Sequence, residues 1–347
     1  MKKIAYIELD THAEIARNFS ELMNDSKVFS VDYYFSEKIS KQINVKFSNV
    51  YLTESSSVLD QLKSKKYDLV IIGTVHRYFN VFLKISESFN TSIVVHNLNF
   101  TTISRPQLFL NIFKKDFAYR LKLLLKESLF SAPNVFKNAR NLLVLDESLI
   151  NENKNLELIF LPVFHYEFKE KKESESLTIV IPGTVSQNRR DYLHLVKSIK
   201  SFNETHYFQF IFLGKASGKE LSWLKELEKN QSVKYFTEKV PQNVFDEWMQ
   251  KADVLWCPIQ KETEFFSQKE FYGKTKMSGN IGDAIKYGKM AVFPKYFPNS
   301  QAFIVSETDD VEKQFLAIKT QKNYNFQEKF NKEKVLENLE NVLKTLI

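Results

Sequence analysis

Short apolar runs alternate with helical stretches along this chain, and the alternation breaks off once and then restarts. In the first half the runs cover 3–9, 28–35, 50–52, 68–73 (DLVIIG), 92–96 (SIVVH) and 141–145 (NLLVL), and 158–163 closes the series. A helix ends near Met23 and another covers 57–65. Runs of this kind, apolar throughout and separated by helices, predict a parallel sheet in an α/β fold. Residues 167–176, EFKEKKESES, carry no apolar side chain after Phe168 and predict a linker. Beyond it the pattern resumes at 177–181, 208–213, 233–236, 253–257 (DVLWC) and 290–293. Residues 326–346 carry Phe330, Val335, Leu339, Val342 and Leu346 along one side and predict a helix. The expected division is 1–166, a linker at 167–176, a second domain at 177–322 and a C-terminal helix at 323–347.

Composition agrees and narrows little else. A length of 347 residues suits two domains, and 43% hydrophobic residues can fill two cores. The net charge of +7 permits an anionic partner without choosing among nucleotide, nucleic acid and membrane surface. The single cysteine, Cys257, excludes an internal disulfide and suits a reducing, cytoplasmic compartment. The start MKKIAYIELD is interrupted by Glu8 and Asp10 and does not read as a signal peptide. No run approaches the 18 apolar residues of a membrane span.

Parallel sheets bind ligands beyond the C-terminal ends of their strands. Thr11 and His12, His76, and His96 fall at such ends in the first half. No GxGxxG follows the first strand, which argues against a dinucleotide site. No Asp-x-Asp and no His/Cys cluster with metal spacing occurs, so neither a metal nor another cofactor is expected.

In the second half, four of the chain's eight glycines fall within 270–294: Gly273, Gly279, Gly282 and Gly288. Ser278 and Gly279 precede a predicted helix at 280–287, and Lys274 and Lys276 stand just upstream. A helix N-terminus offers N–H groups and a positive dipole end to a phosphate, so these residues predict an anion site. The segment GKASGK at 214–219 lacks the glycine spacing of a phosphate loop.

Residues 105–126 are different. Phe109, Phe113, Phe117 and Leu121 recur every four residues among Lys114, Lys115, Arg120, Lys122 and Lys126. A basic, aromatic helix of this kind fits an anionic membrane surface, and equally a core-facing helix with a solvated basic side.

The order of motifs from about residue 177 resembles a glycosyltransferase of the GT-B fold, in particular the large retaining family-four group of nucleotide-sugar transferases. The matching stretches are IVIPGTVSQNRRDY, FIFLGK, KYFTEKVPQNVFDEWMQKADVLWCP and SGNIGDAIKYGKMAVFP. The resemblance implies two Rossmann-like parallel-sheet domains facing a cleft, with the C-terminal helix packing back on the first. It implies an acceptor-side first domain and a second domain that binds the nucleotide sugar. The donor would meet Gly183, Thr184, Arg189, Arg190 and Lys215 from one side. Glu270, Tyr272, Lys274, Lys276, Ser278 and Gly279 would meet it from the other. Asp283, standing where the family has its second glutamate, would take the ribose. His96 would face the sugar as the catalytic group, with His12, Thr11 and His76 on the acceptor side. With no metal, fixed cations and helix N–H groups would offset the charge of the leaving diphosphate.

The expected activity is transfer of a hexose-type sugar to a glycan or lipid-linked acceptor, in surface polysaccharide synthesis. The expected location is cytoplasmic, peripheral on the inner face of the plasma membrane through 105–126. A sugar-nucleotide epimerase of the same fold is the alternative enzyme. A basic nucleic-acid-binding protein is the alternative of another class. Its signal is weak, because the basic residues are dispersed and no nucleic-acid motif occurs, so no nucleic-acid partner is expected.

Overall fold

A computed structural model describes residues 1–44, 49–167, 176–229, 231–298, 301–320 and 324–347. The chain divides into two compact units. The first comprises Met1–Phe164, Glu264–Met277 and Lys332–Ile347, and the second His165–Thr263 and Ser278–Asn331.

Among the described residues, the main sheet of the first unit has seven strands: β1 (Lys2–Glu8), β2 (Phe29–Phe35), β3 (Val50–Leu52), β4 (Leu69–Ile72), β5 (Thr91–Val94), β6 (Asn141–Val144) and β7 (Leu158–Phe160). Every neighbouring pair is parallel, in the order β3-β2-β1-β4-β5-β6-β7. Along β1, Ala5 and Ile7 pack into one core and Ile4 and Tyr6 into another on the opposite face. That two-residue period explains why the strand is apolar over 4–7: both faces are covered there. The strand order runs outward in opposite directions from β1 and β4. This is a topological switch point, where a crevice opens beyond the strand ends. His12 follows β1 and His76 follows β4.

The second unit repeats the plan with six parallel strands in the order β10-β9-β8-β11-β14-β15. They are β8 (Leu177–Pro182), β9 (Phe208–Lys215), β10 (Val233–Phe236), β11 (Val254–Trp256), β14 (Met290–Phe293) and β15 (Ile304–Ser306). Its switch point lies between β8 and β11. Ile179, Ile181, Phe210, Phe212, Trp256 and Phe315 share one core. The helix expected at 280–287 is Gly279–Tyr287, and Gly288 ends it in the left-handed region, φ 62°. Of the expected linker, residues 168–175 lie outside the described residues.

Three expectations change. The single helix at 326–346 is two helices, Phe326–Phe330 and Lys332–Leu346, and the chain between them turns at Asn331, whose backbone is extended. Phe330 packs with Phe303 and Phe326 in the second unit, whereas Val335, Leu339, Leu343 and Leu346 fill the core of the first. The C-terminal segment thus packs on the first unit, as the resemblance implies, but only from Lys332 on.

The stretch 105–126 is also two helices, Arg105–Ile112 and Phe117–Glu127, broken at Asp116 with φ 48°. Buried Arg120 donates to the Asn111 carbonyl and to Ser267 Oγ, and so ties the second helix back to the end of the first. Among the described residues no helix is long and apolar enough to cross a membrane.

Finally, sequence continuity assigns 264–277 to the second domain, yet it folds with the first. The strands β12 (Glu262–Phe265) and β13 (Gln268–Phe271) form a hairpin turned by Phe266 and Ser267, both at positive φ. Phe265 meets Phe100 edge-on and Phe266 stacks on it, with ring centroids 4.8 and 5.4 Å away. Apolar burial holds the hairpin to the first unit despite a turn without glycine or asparagine.

Candidate functional site

In the first unit the switch point gathers three imidazoles. His12 and His96 stack face to face, centroids 3.8 Å apart and planes within 8°, and His76 meets each edge-on at 5.7 and 5.8 Å. His12 is held at φ 60°, a left-handed conformation that costs a non-glycine residue about 1–2 kcal/mol. Strain of this kind is retained where surrounding structure enforces it, often at functional sites.

The hydrogen bonds define how each ring is protonated. His96 Nε2 lies 2.9 Å from the Gly73 carbonyl, which can only accept, so Nε2 carries the proton and Nδ1 keeps the lone pair. The Lys276 ammonium donates to Asn97 Oδ1 at 2.5 Å, which turns the Asn97 amide nitrogen toward His76 Nε2 at 3.2 Å. His76 therefore accepts at Nε2 and holds its proton at Nδ1, 3.5 Å from Thr11 Oγ1. His12 Nδ1 lies 3.0 Å from the Glu14 carboxylate, leaving its Nε2 as an acceptor. Burial lowers the pKa of His96 and His76 well below the ordinary histidine value, and the neighbouring His12 ring and Lys276 ammonium act in the same direction. Burial of this kind disfavours the charged form, so His96 and His76 are neutral at neutral pH. A small cavity among Val75, His76, Val95, His96, Asn97 and Phe136 has about 10 Å³ of free volume, room for a water and not for a sugar. Ligand chemistry is left to the open edges of the rings.

Sequence reasoning missed a residue here. Glu8, the last of β1, is 1% exposed, and its Oε2 accepts from Thr74 Oγ1 at 2.7 Å. Thr74 Oγ1 in turn lies 3.4 Å from His96 Nε2. Burial raises the Glu8 pKa to about 8, opposed by the Thr74 hydroxyl and the N–H groups of Asp10 and Thr11. In the sequence it is a single acid after the apolar run 4–7, which reads as a border of the strand.

Four residues expected at the donor belong to this unit and serve it internally. Glu270, fully buried, accepts from the N–H groups of Asn99 and Phe100 at 3.2 and 2.9 Å. It is an anchor for the short helix Leu98–Thr101. Tyr272 and Lys276 pair through a backbone bridge, and Lys274 faces Glu152 at 3.7 Å. The convergence of Lys274 and Lys276 on Ser278 is therefore not what their hydrogen bonds describe: Lys276 fixes Asn97 and thereby His76.

In the second unit the loop after β8 and the N-terminus of the helix Gly279–Tyr287 come together around Arg190. Its guanidinium donates to the Thr184 carbonyl at 3.4 Å and to Asn280 Oδ1 at 3.3 Å. Both contacts are long, and its Nε is buried with no hydrogen-bond partner among the described residues. Asn280 Nδ2 reaches the Pro182 carbonyl at 3.4 Å and Asp283 Oδ2 at 3.2 Å, so Asp283 is linked to this group. Asn280 itself was not anticipated. Two glycines make the packing possible. A Cβ on Gly183, whose φ is +106°, would lie 2.3 Å from the Arg190 guanidinium, and one on Gly214 would lie 2.1 Å from the Gly183 carbonyl. Gly279 is exposed, with open space where a side chain would stand. Ser278 occupies the N-cap position, is 2% exposed and makes no side-chain capping bond. Thr184, Arg189 and Lys215 are exposed around the same loops. The arrangement offers a fixed cation, a helix N-terminus and bare backbone, which is the chemistry of a phosphate site.

Two parallel α/β units with these strand orders match solved structures over almost their whole length. The pneumococcal O-GlcNAc transferase GtfA, in complex with UDP and GlcNAc, aligns at a TM-score of 0.60 with 10% identity, covering 99% of each chain. The lipopolysaccharide outer core galactosyltransferase WaaB aligns at 0.57 with 13% identity, covering 99% of this chain and 100% of that one. The chain has the GT-B fold. The UDP-GlcNAc 2-epimerase from Neisseria meningitidis, bound to UDP-GlcNAc, shares that GT-B fold at a TM-score of 0.55 with 10% identity, covering 99% of this chain and 100% of that one. No protein-family model and no curated sequence matches the chain.

Proposed function

We propose that this GT-B protein is a glycosyltransferase that moves a hexose-type sugar from a nucleotide-sugar donor to a glycan or lipid-linked acceptor. Surface polysaccharide synthesis at the cytoplasmic face of the plasma membrane is the setting that suits it. The carrying observation is Arg190, whose guanidinium has two long hydrogen bonds and one unpartnered N–H beside a helix N-terminus. The solved structures of similar fold that hold UDP or a UDP-sugar support the same donor class.

In this reading the bond from the sugar's anomeric carbon to the diphosphate breaks, and the leaving oxygen gathers negative charge. Arg190 and the N–H groups at the start of Gly279–Tyr287 offset that charge, and Arg189 and Lys215 add positive potential. Asp283 accepts from the ribose hydroxyls. Neutral His96 accepts a sugar hydroxyl at Nδ1 and is the catalytic residue of the first unit. The acceptor hydroxyl forms the new bond to the anomeric carbon and gives its proton to His12 Nε2. Glu14 on Nδ1 stabilises the imidazolium that results.

Epimerisation of a sugar nucleotide is the second reading. It is favoured by the buried, protonatable Glu8 joined through Thr74 to His96, an acid–base pair that needs no acceptor. Incubation with a panel of UDP-, GDP- and TDP-hexoses separates the two. Transferase activity releases nucleoside diphosphate in proportion to added acceptor. Epimerisation changes the sugar with no acceptor and releases none.

A further inference from the structure

We propose that the outer face of the helices Arg105–Ile112 and Phe117–Glu127 docks on an anionic lipid surface. This deepens the membrane setting suggested above, but it rests on the surface alone and stands whether or not the chain transfers a sugar. The two helices bury one set of apolar residues, Leu108, Ile112 and Leu123, in the core of the first unit. They carry a second set that the core does not use. Phe109, Phe113 and Phe117 form a ladder across the break, with successive ring centroids 5.3 and 5.5 Å apart, and all three are exposed. Leu125, two turns beyond Phe117 on the same side, is 74% exposed, and Phe113 is 61% exposed. A contiguous row of exposed phenylalanines marks an interaction surface rather than ordinary surface scatter.

Charge selects the occupant. Arg105, Lys114, Lys115, Lys122 and Lys126 are exposed along these helices, against one exposed acid, Asp116. Glu127 is buried in an ion pair with Arg77 at 2.6 Å and does not offset them. Lys115 leans on Glu264 at 2.7 Å. A second copy of the chain would meet this patch through a two-fold axis, which sets the same lysines against each other. An anionic bilayer accepts both features: phenylalanine and leucine enter the interface while the lysines meet headgroup phosphates.

Sedimentation with vesicles tests this, using phosphatidylcholine alone and mixed with phosphatidylglycerol. The protein should pellet with the mixed vesicles, not with the neutral ones, and high salt should release it. Two variants should each weaken the partition at least about tenfold: Lys114→Glu with Lys122→Glu and Lys126→Glu, and separately Phe113→Ser with Leu125→Ser. All five side chains are exposed, so the melting temperature should stay near that of the parent. Equal binding to neutral vesicles would overturn the proposal. So would undiminished binding by both variants, or self-association in solution that the same substitutions abolish.

Discussion

Burial of Glu8 makes the stability of the fold depend on pH. Its carboxyl is displaced from 4.5 to about 8, so the folded protein holds a proton there that the unfolded chain releases. A raised folded pKa contributes stability that is complete below 4.5 and is lost as pH rises through about 8. The displacement corresponds to at most about 5 kcal/mol. Urea unfolding of the parent and of Glu8→Gln, at about pH 5 and about pH 9, checks this. The parent should lose stability relative to the variant across that interval, and parallel behaviour would mean that Glu8 ionises freely. His76 and His96 act with the opposite sign: lowered folded pKa values withdraw stability as pH falls below the unfolded histidine value. The histidines were legible in the sequence because each follows an apolar strand. Glu8 was not, because a single acid at a strand end looks like a border. Arg189 and Arg190 were named together from their place after the first glycine loop, and what separates Arg190 in the structure is Gly183, which leaves room for its guanidinium.

Among the elements, the hairpin at 264–271 and the turn after it carry the clearest lesson. Glycines and lysines at 270–279 look like one phosphate loop when read along the chain. The structure assigns Glu270, Tyr272, Lys274 and Lys276 to a strap across the loop that follows β5. Glu270 receives the N–H groups of Asn99 and Phe100, and the Leu98 N–H donates to the Thr275 carbonyl at 2.9 Å. Side-chain contacts made 170 residues away leave no periodic signal, which is why this escaped the sequence. Glu270→Ala should therefore lower stability by about 1–3 kcal/mol, the cost of leaving buried N–H groups unpaired. Nucleotide affinity should hold. A loss of affinity at unchanged melting temperature would return Glu270 to the donor. The helix Gly279–Tyr287, by contrast, was legible from Ser278, from Gly288 and from the apolar strand that follows.

At the scale of the molecule, the alternation of strands and helices was enough to predict two parallel sheets. It could not reveal that the chain returns to the first unit twice, at 264–277 and at 332–347. Those returns are settled by which apolar faces need cover: Phe100 by Phe265 and Phe266, and the Tyr6 side of the first sheet by Val335, Leu339 and Leu343. Each sheet has its own switch point, with the cation and helix N-terminus in the second unit and the imidazoles in the first. In the proposed function these carry separate tasks, donor diphosphate binding and sugar chemistry. Calorimetric titration of a nucleotide diphosphate sugar, with turnover measured in parallel, tests it on the parent, Arg190→Ala and His96→Ala. Arg190→Ala should weaken the diphosphate ligand by about 1.5–3 kcal/mol while leaving the bare nucleoside unchanged. His96→Ala should keep donor affinity and lose turnover on the order of 10²-fold or more. Equal loss of nucleoside and diphosphate in Arg190→Ala, or near-normal turnover in His96→Ala, would contradict the account.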